Sequence, residues 1–304
     1  VIQKCILILS LSLISCKGEA EKSKSSESQN VEIIKTPDFE LSKANIQKGL
    51  LILFPCFTCN SEHTTEEFNI RDLALKNGFS VLAMNFNKHL YLTKNEKRQL
   101  ANLLLSTIQK EKLATQEIYI GGFSSGGNIA LLLSDYLIEI KSKIKPRGVF
   151  NVDSPVDLLG LYTTATKNIK LDYSKNFVEE SRWIKKQLDK NFGNPQNGIE
   201  NFKAHSPFTY KTKNITNLTH LKDLKIRFYT EPDLKWWKKY RNNNFEDLNA
   251  FYIQKLVTQL QNEWGNKNVE LIETKNSGYL ANGERHPHAW SIVDKNELIN
   301  WMKN

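Results

Sequence analysis

Gly121-Gly122-Phe123-Ser124-Ser125-Gly126-Gly127 separates an apolar, β-prone run, Glu117-Ile118-Tyr119-Ile120, from a helical one, Asn128-Ile129-Ala130-Leu131-Leu132-Leu133. A G-x-S-x-G match in a strand–turn–helix setting describes a nucleophile elbow, where a serine is held in a strained turn at the end of a strand. Its flanks stay small because strand and helix crowd together there. Ser124 has Gly122 two residues before it and Gly126 two after. Ser125 has Phe123 in the first of those places, where a ring collides with the tight turn. Ser124 is therefore the candidate nucleophile and the backbone N–H of Ser125 the candidate oxyanion donor. The plainer reading is a glycine-rich strand–helix loop without chemistry, and the flanking context argues against it.

Working outward, Gly49–Phe54, Phe79–Phe86 and Arg147–Val152 are continuous apolar runs, the pattern of strands covered on both faces. Helical patterns lie between them: Thr65 to Asn77, stopped by Gly78, and Lys94 to Lys112, with Leu100, Leu103, Leu104 and Ile108 on one face. Another helix is expected over 126–140. Strands alternating with helices mean crossover connections and a mostly parallel sheet. The rhythm breaks over 156–221, which reads as a polar, irregular, cap-like insertion across the carboxyl edge of the sheet. It resumes with a strand at Lys225–Thr230, a helix over 245–263, a strand at Asn268–Glu273 and a closing helix over 291–303.

Ligand sites of such sheets lie beyond the carboxyl ends of the strands. Ser124 follows one strand, Glu231-Pro232-Asp233 follows another, and His286 and His288 follow the last. Over roughly 45–304 the chain resembles an α/β-hydrolase. The resemblance rests on the elbow Gly122-Phe123-Ser124-Ser125-Gly126, on Ser206-Pro207 ahead of a strand and acid loop, and on His288-Ala289-Trp290 leading into a terminal helix. It implies a serine, acid and histidine in that chain order, with Asp233 as the first choice of acid and Glu231 and Asp153 as alternatives. It also implies a second oxyanion N–H from Pro55-Cys56-Phe57-Thr58, from Phe57 first and Cys56 second. The His-Gly that many members carry there is missing. For the base, His288 is preferred, because Pro287 restricts the alternative, His286, towards extended geometry.

The chemistry needs each part. A serine hydroxyl becomes a useful nucleophile when a base within hydrogen-bond reach takes its proton. Imidazole can accept that proton and return it to the leaving group, and a carboxylate on its other nitrogen sets the tautomer. The reading is a serine hydrolase acting on a small-molecule carboxylic ester or acyl substrate, without cofactor. A serine peptidase or acyltransferase is the alternative within the fold, and a non-catalytic binding lipoprotein the alternative outside it.

Composition bounds the partners. The net charge is +9, but only seven of the 42 basic residues are arginines. The lysines are mixed with acids, and no basic run is interleaved with aromatics, so no nucleic-acid partner is implied. Lys4 precedes an apolar stretch, Cys5–Ile14, too short to span a membrane. It ends in Leu13-Ile14-Ser15-Cys16, which resembles a bacterial lipobox with Cys16 as the lipidated residue. The expectation is a lipoprotein signal peptide over 1–16, a tether over 17–44, and a domain held outside the cytoplasm by a lipid anchor in a bacterial membrane. Export leaves Cys56 and Cys59 in the mature domain, where a C-x-x-C forms a local disulfide or two buried thiols. Zinc would need two further ligands, and His63 stands alone nearby, so no metal site is read here.

Overall fold

The computed structural model describes residues 31–265 and 268–304. The expected signal peptide, Cys16 and the first part of the tether lie outside the described residues. Eight strands form one sheet: β1 (Ile33–Lys35), β2 (Phe39–Ser42), β3 (Gly49–Phe54), β4 (Phe79–Met84), β5 (Glu117–Phe123), β6 (Pro146–Val152), β7 (Lys225–Thr230) and β8 (Val269–Glu273). Their order is β1-β2-β4-β3-β5-β6-β7-β8. From β4 onward every neighbouring pair is parallel, while β1 and β2 run antiparallel at one edge.

Side chains alternate across the sheet, as the two-residue period of a strand requires. Ile118 and Ile120 of β5 join Leu50, Ile52 and Leu82 in a core on one face. Tyr119 and Phe123 join Leu51, Leu53 and Phe150 in a core on the other. The helices Lys94–Lys110, Ser125–Glu139 and Asn249–Trp264 supply apolar stripes to the first core. Ser61–Phe68, Arg71–Lys76 and the terminal helix Lys295–Lys303 supply them to the second.

Three expectations are corrected. Part of the stretch expected as tether is in the sheet instead, with Ile33–Lys35 forming β1 and Phe39–Ser42 forming β2. Short edge strands with a mixed pattern leave little signal in a sequence. The single helix expected over Thr65–Asn77 is two helices, Ser61–Phe68 and Arg71–Lys76, since Asn69 takes a left-handed conformation (φ 44°) and closes the first. The insertion is helical, not irregular. Leu158–Leu171 and Lys175–Phe192 pack as a pair joined through Asp172 at φ 47°. Leu158, Tyr162, Leu188, Phe192 and Phe202 form a separate core together with Leu90, a stripe that the surrounding lysines obscure in the sequence. Asp157 starts the first of these helices, its Oδ1 accepting from the N–H groups of Leu159 (2.9 Å) and Gly160 (3.0 Å).

Candidate active site

Ser124 sits between the end of β5 and the helix Ser125–Glu139 with φ 53° and ψ −127°. This conformation is costly for a residue with a Cβ and persists only where the surroundings enforce it. They do so by close approach. A Cβ on Gly122 would lie 2.2 Å from the Gly126 backbone, and one on Gly126 would lie 2.4 Å from the carbonyl oxygens of both Phe54 and Pro55. The elbow is thereby pressed against the end of β3. The N–H of Ser124 donates to the Val152 carbonyl at 2.9 Å, which ties it to β6 as well.

The same approach brings the loop after β3 beside the elbow. That loop is closed by a Cys56–Cys59 disulfide, with Cα atoms 5.0 Å apart, so of the two states expected for these cysteines the bonded one is found. Asn60 then caps the next helix, its Oδ1 accepting from His63 N–H at 2.9 Å. Cys56 and Phe57 border the cavity that also contains Ser124 and Ser125. Ser125 is the first residue of its helix, so its N–H has no partner within the helix and the helix dipole favours negative charge nearby.

His288 donates from Nδ1–H to Asp153 Oδ2 at 2.6 Å. The donor must be the imidazole, because a carboxylate only accepts. Nε2 is then left as the base. Asp153 is 4% exposed and directly follows β6, at φ 45°. Its other oxygen accepts from Thr230 Oγ1 at 2.7 Å, and its carbonyl accepts from Asn249 Nδ2 at 2.8 Å. Ser124, Asp153 and His288 all border one cavity of about 470 Å³. The Ser124–His288 hydrogen bond itself is not formed in this geometry; such bonds commonly tighten only around substrate.

The acid first expected is therefore not the one at the imidazole. Asp233 Oδ2 accepts from Arg285 Nη2 at 2.8 Å, and its Oδ1 caps the helix Leu234–Arg241 through Trp236 N–H at 3.0 Å. Glu231, the second choice, is buried and also pairs with Arg285. It accepts from Thr274 Oγ1, Ser277 N–H and Gly278 N–H at 2.9–3.0 Å as well. Both carboxylates hold the loop that carries the histidines. Since β6 and β7 are neighbours, their carboxyl ends open on the same place, and spacing along the chain cannot choose between them. Arg285, three residues before His288, was the overlooked signal.

His286 lies beside this site in a different role. Its Nδ1–H donates to the His288 carbonyl at 2.8 Å, and its ring meets Trp236 edge-on at 4.7 Å. Burial, reinforced by His288, pushes its pKa down to about 4. Trp237 both borders the cavity and packs against Leu248 and Ala250. Arg241, Asn243 and Asn168 also reach the cavity wall, and nothing in their sequence context marked them.

Away from the cavity, ligand atoms of Asp135, Glu139 and His220 lie within 4.8 Å of one another. His220 already bonds Asp135 through both its N–H (2.8 Å) and its ring (3.1 Å). The contact docks the Thr216–Leu221 turn on the helix Ser125–Glu139.

No family model matches the sequence, and no curated protein is similar to it. Solved structures are similar over nearly the whole chain. An esterase from Pyrococcus furiosus shares 14% identity at a TM-score of 0.53, covering 90% of this chain and 91% of its own. An esterase/lipase from an uncultured bacterium shares 13% at 0.53, covering 91% and 87%. The fluorophosphonate-binding serine hydrolase F of Staphylococcus aureus shares 11% at 0.51, covering 88% and 92%. The fold is that of the α/β-hydrolases. The mostly parallel sheet carries the turn at Ser124 at the end of its central strand β5, and the loop with His286 and His288 follows β8.

Proposed function

We propose that the protein is a serine hydrolase that cleaves a small carboxylic ester through an acyl-serine intermediate. The observation that carries the proposal is the strained Ser124 in one cavity with a hydrogen-bonded His288–Asp153 pair. The esterases and the serine hydrolase that share the fold support it. Ser124 Oγ attacks the ester carbonyl while His288 Nε2 takes its proton. The oxyanion is held by Ser125 N–H and one N–H of the disulfide-closed loop, Phe57 first and Cys56 second. The imidazolium, stabilised by Asp153, protonates the departing alcohol. Water then attacks the acyl carbon while giving a proton to His288, and the imidazolium passes that proton to Ser124 Oγ as the acid leaves.

A fluorophosphonate probe should label the wild-type protein at Ser124, and Ser124→Ala should lose both labelling and turnover of p-nitrophenyl butyrate. A well-folded wild type that stays unlabelled refutes the proposal.

We further propose that the protein is exported and anchored by lipid on Cys16. The Cys56–Cys59 disulfide, a bond favoured outside the cytoplasm, supports this. Metabolic incorporation of an azido-palmitate that is unchanged in Cys16→Ser would refute it.

A further inference from the structure

The cavity wall facing the insertion carries a charge that the catalytic reading leaves unused. Two arginines elsewhere in the fold are saturated: Arg227 by Glu270 and Glu297, and Arg285 by Glu231 and Asp233. Arg241, the last residue of the helix Leu234–Arg241, differs from both. Its side chain is 19% exposed, and among the described residues its one carboxylate partner is Glu180, at 3.3 Å from Nη2. Glu180 is itself 50% exposed. The Arg241 Nε–H is buried without a partner. The guanidinium lies over Phe177 at 3.5 Å and beside Trp237 at 4.9 Å, so it is held in place by rings that offer it no acceptor. Desolvation pulls its pKa down, opposed by Glu180 and by the Asp153 of the catalytic pair.

Two carboxamides stand on the same wall. Asn243 is 3% exposed and Asn168 is 9%, and the Oδ1 of each is buried without a partner. It is the Oδ1 end of each amide that is shut in, and neither Nδ2 is among the buried unpartnered atoms, so each amide can present its NH₂ to an acceptor. Three of the cavity's carboxylates are engaged elsewhere, Asp153 with His288, Glu231 with Arg285 and Asp247 with Lys167, and the fourth, Glu180, is the half-exposed partner of Arg241. What lacks a full set of partners is a guanidinium held by one half-exposed carboxylate, and two amides. A buried cation with unmet donors is costly unless a ligand meets them.

We propose that Arg241, with Asn168 and Asn243, is an anion subsite in the same cavity as Ser124, and that the preferred ester bears a carboxylate. The inference rests on the hydrolase reading for the ester and on Arg241 for the charge. The incoming carboxylate displaces Glu180, whose exposed side chain is free to swing into water, and takes up the guanidinium in a two-bond pairing.

The test compares matched pairs. Monomethyl adipate against methyl hexanoate places the charge on the acyl side; para-acetoxybenzoate against para-acetoxybenzamide places it on the leaving alcohol. The wild type should favour the charged member of at least one pair in kcat/KM. Arg241→Gln should cut that charged-to-neutral ratio by about tenfold or more, the scale of a charge-assisted bidentate contact, and Arg241→Lys should restore part of it. Glu180→Gln should move the ratio the other way by removing the competing carboxylate, and its exposure keeps that variant readable if Arg241→Gln fails to fold. Neutral preference in both pairs, or a ratio unmoved by either substitution, overturns the subsite. If the wild type turns over no ester and takes no fluorophosphonate, the hydrolase reading has failed. Calorimetric binding of para-acetoxybenzoate to Ser124→Ala, lost in Ser124→Ala/Arg241→Gln, then still supports the subsite, and its absence from Ser124→Ala refutes it.

Discussion

Replacing Asp153 by Asn keeps the size of the side chain and removes its charge, and the two carboxylate oxygens have different neighbours to lose. Oδ1 accepts from Thr230 and Oδ2 from His288 Nδ1–H. An amide has one acceptor and one donor for these two neighbours. If its oxygen faces Thr230, its NH₂ faces His288, the imidazole proton moves to Nε2, and the base is lost. If its oxygen faces His288, the Thr230 hydroxyl hydrogen is stranded in a buried place, at a cost of about 1 kcal/mol. The first arrangement is favoured, and either one withdraws the carboxylate that steadies the imidazolium. An equivalent exchange in a serine triad lowers kcat by about 10⁴, or about 5 kcal/mol of barrier at about 1.4 kcal/mol per decade. Asp233→Asn is the control. Its amide can still cap Trp236 and loses only part of the Arg285 pairing, so kcat should stay within about threefold of wild type, since a partly exposed ion pair is worth about 1 kcal/mol or less. The assay is kcat for p-nitrophenyl butyrate, with the rate of fluorophosphonate labelling alongside and thermal unfolding to confirm that both variants are folded. Asp153→Asn within about tenfold of wild type, with Asp233→Asn severely impaired, would refute the assignment.

Gly126→Ala should disrupt the elbow, because its Cβ would meet two backbone oxygens at 2.4 Å that cannot move aside. We expect a loss of about 1–3 kcal/mol in urea unfolding and a fall in kcat of about a hundredfold from misplacing Ser124. Opening the Cys56–Cys59 bridge with a reductant should cost about 2 kcal/mol for so short a loop and lower kcat more than it raises KM, since the loop is proposed to hold the oxyanion. An unchanged kcat would remove that loop from the oxyanion site. His286 predicts a pH dependence of stability. Its pKa falls from an ordinary 6.5 to about 4 on folding, so the unfolded chain binds more protons between those values. Its contribution is complete above about 6.5 and is lost as pH falls towards 4. Denaturant melts across that window should show a shallower acid slope in His286→Gln than in wild type.

Much was determined by sequence alone, for local reasons. The elbow could be read because Gly122, Ser124 and Gly126 lie within five residues, and the steric demand on each is set by its immediate neighbours. The parallel strands could be read because strands buried on both faces are apolar throughout. His288 was legible from its place after the last strand and before the closing helix. What distance along the chain could not decide was left to the tertiary structure. Asp153 and Asp233 are 80 positions apart in sequence yet stand on adjacent strand ends, and only the fold shows that Asp153 meets His288 while Asp233 meets Arg285. The edge strands β1 and β2 owe their existence to the sheet they join. Arg241 shows the same limit most clearly. A lone arginine after two tryptophans means little until folding buries it on the wall of the cavity that also holds Ser124, because burial and pairing are properties of the assembled cavity.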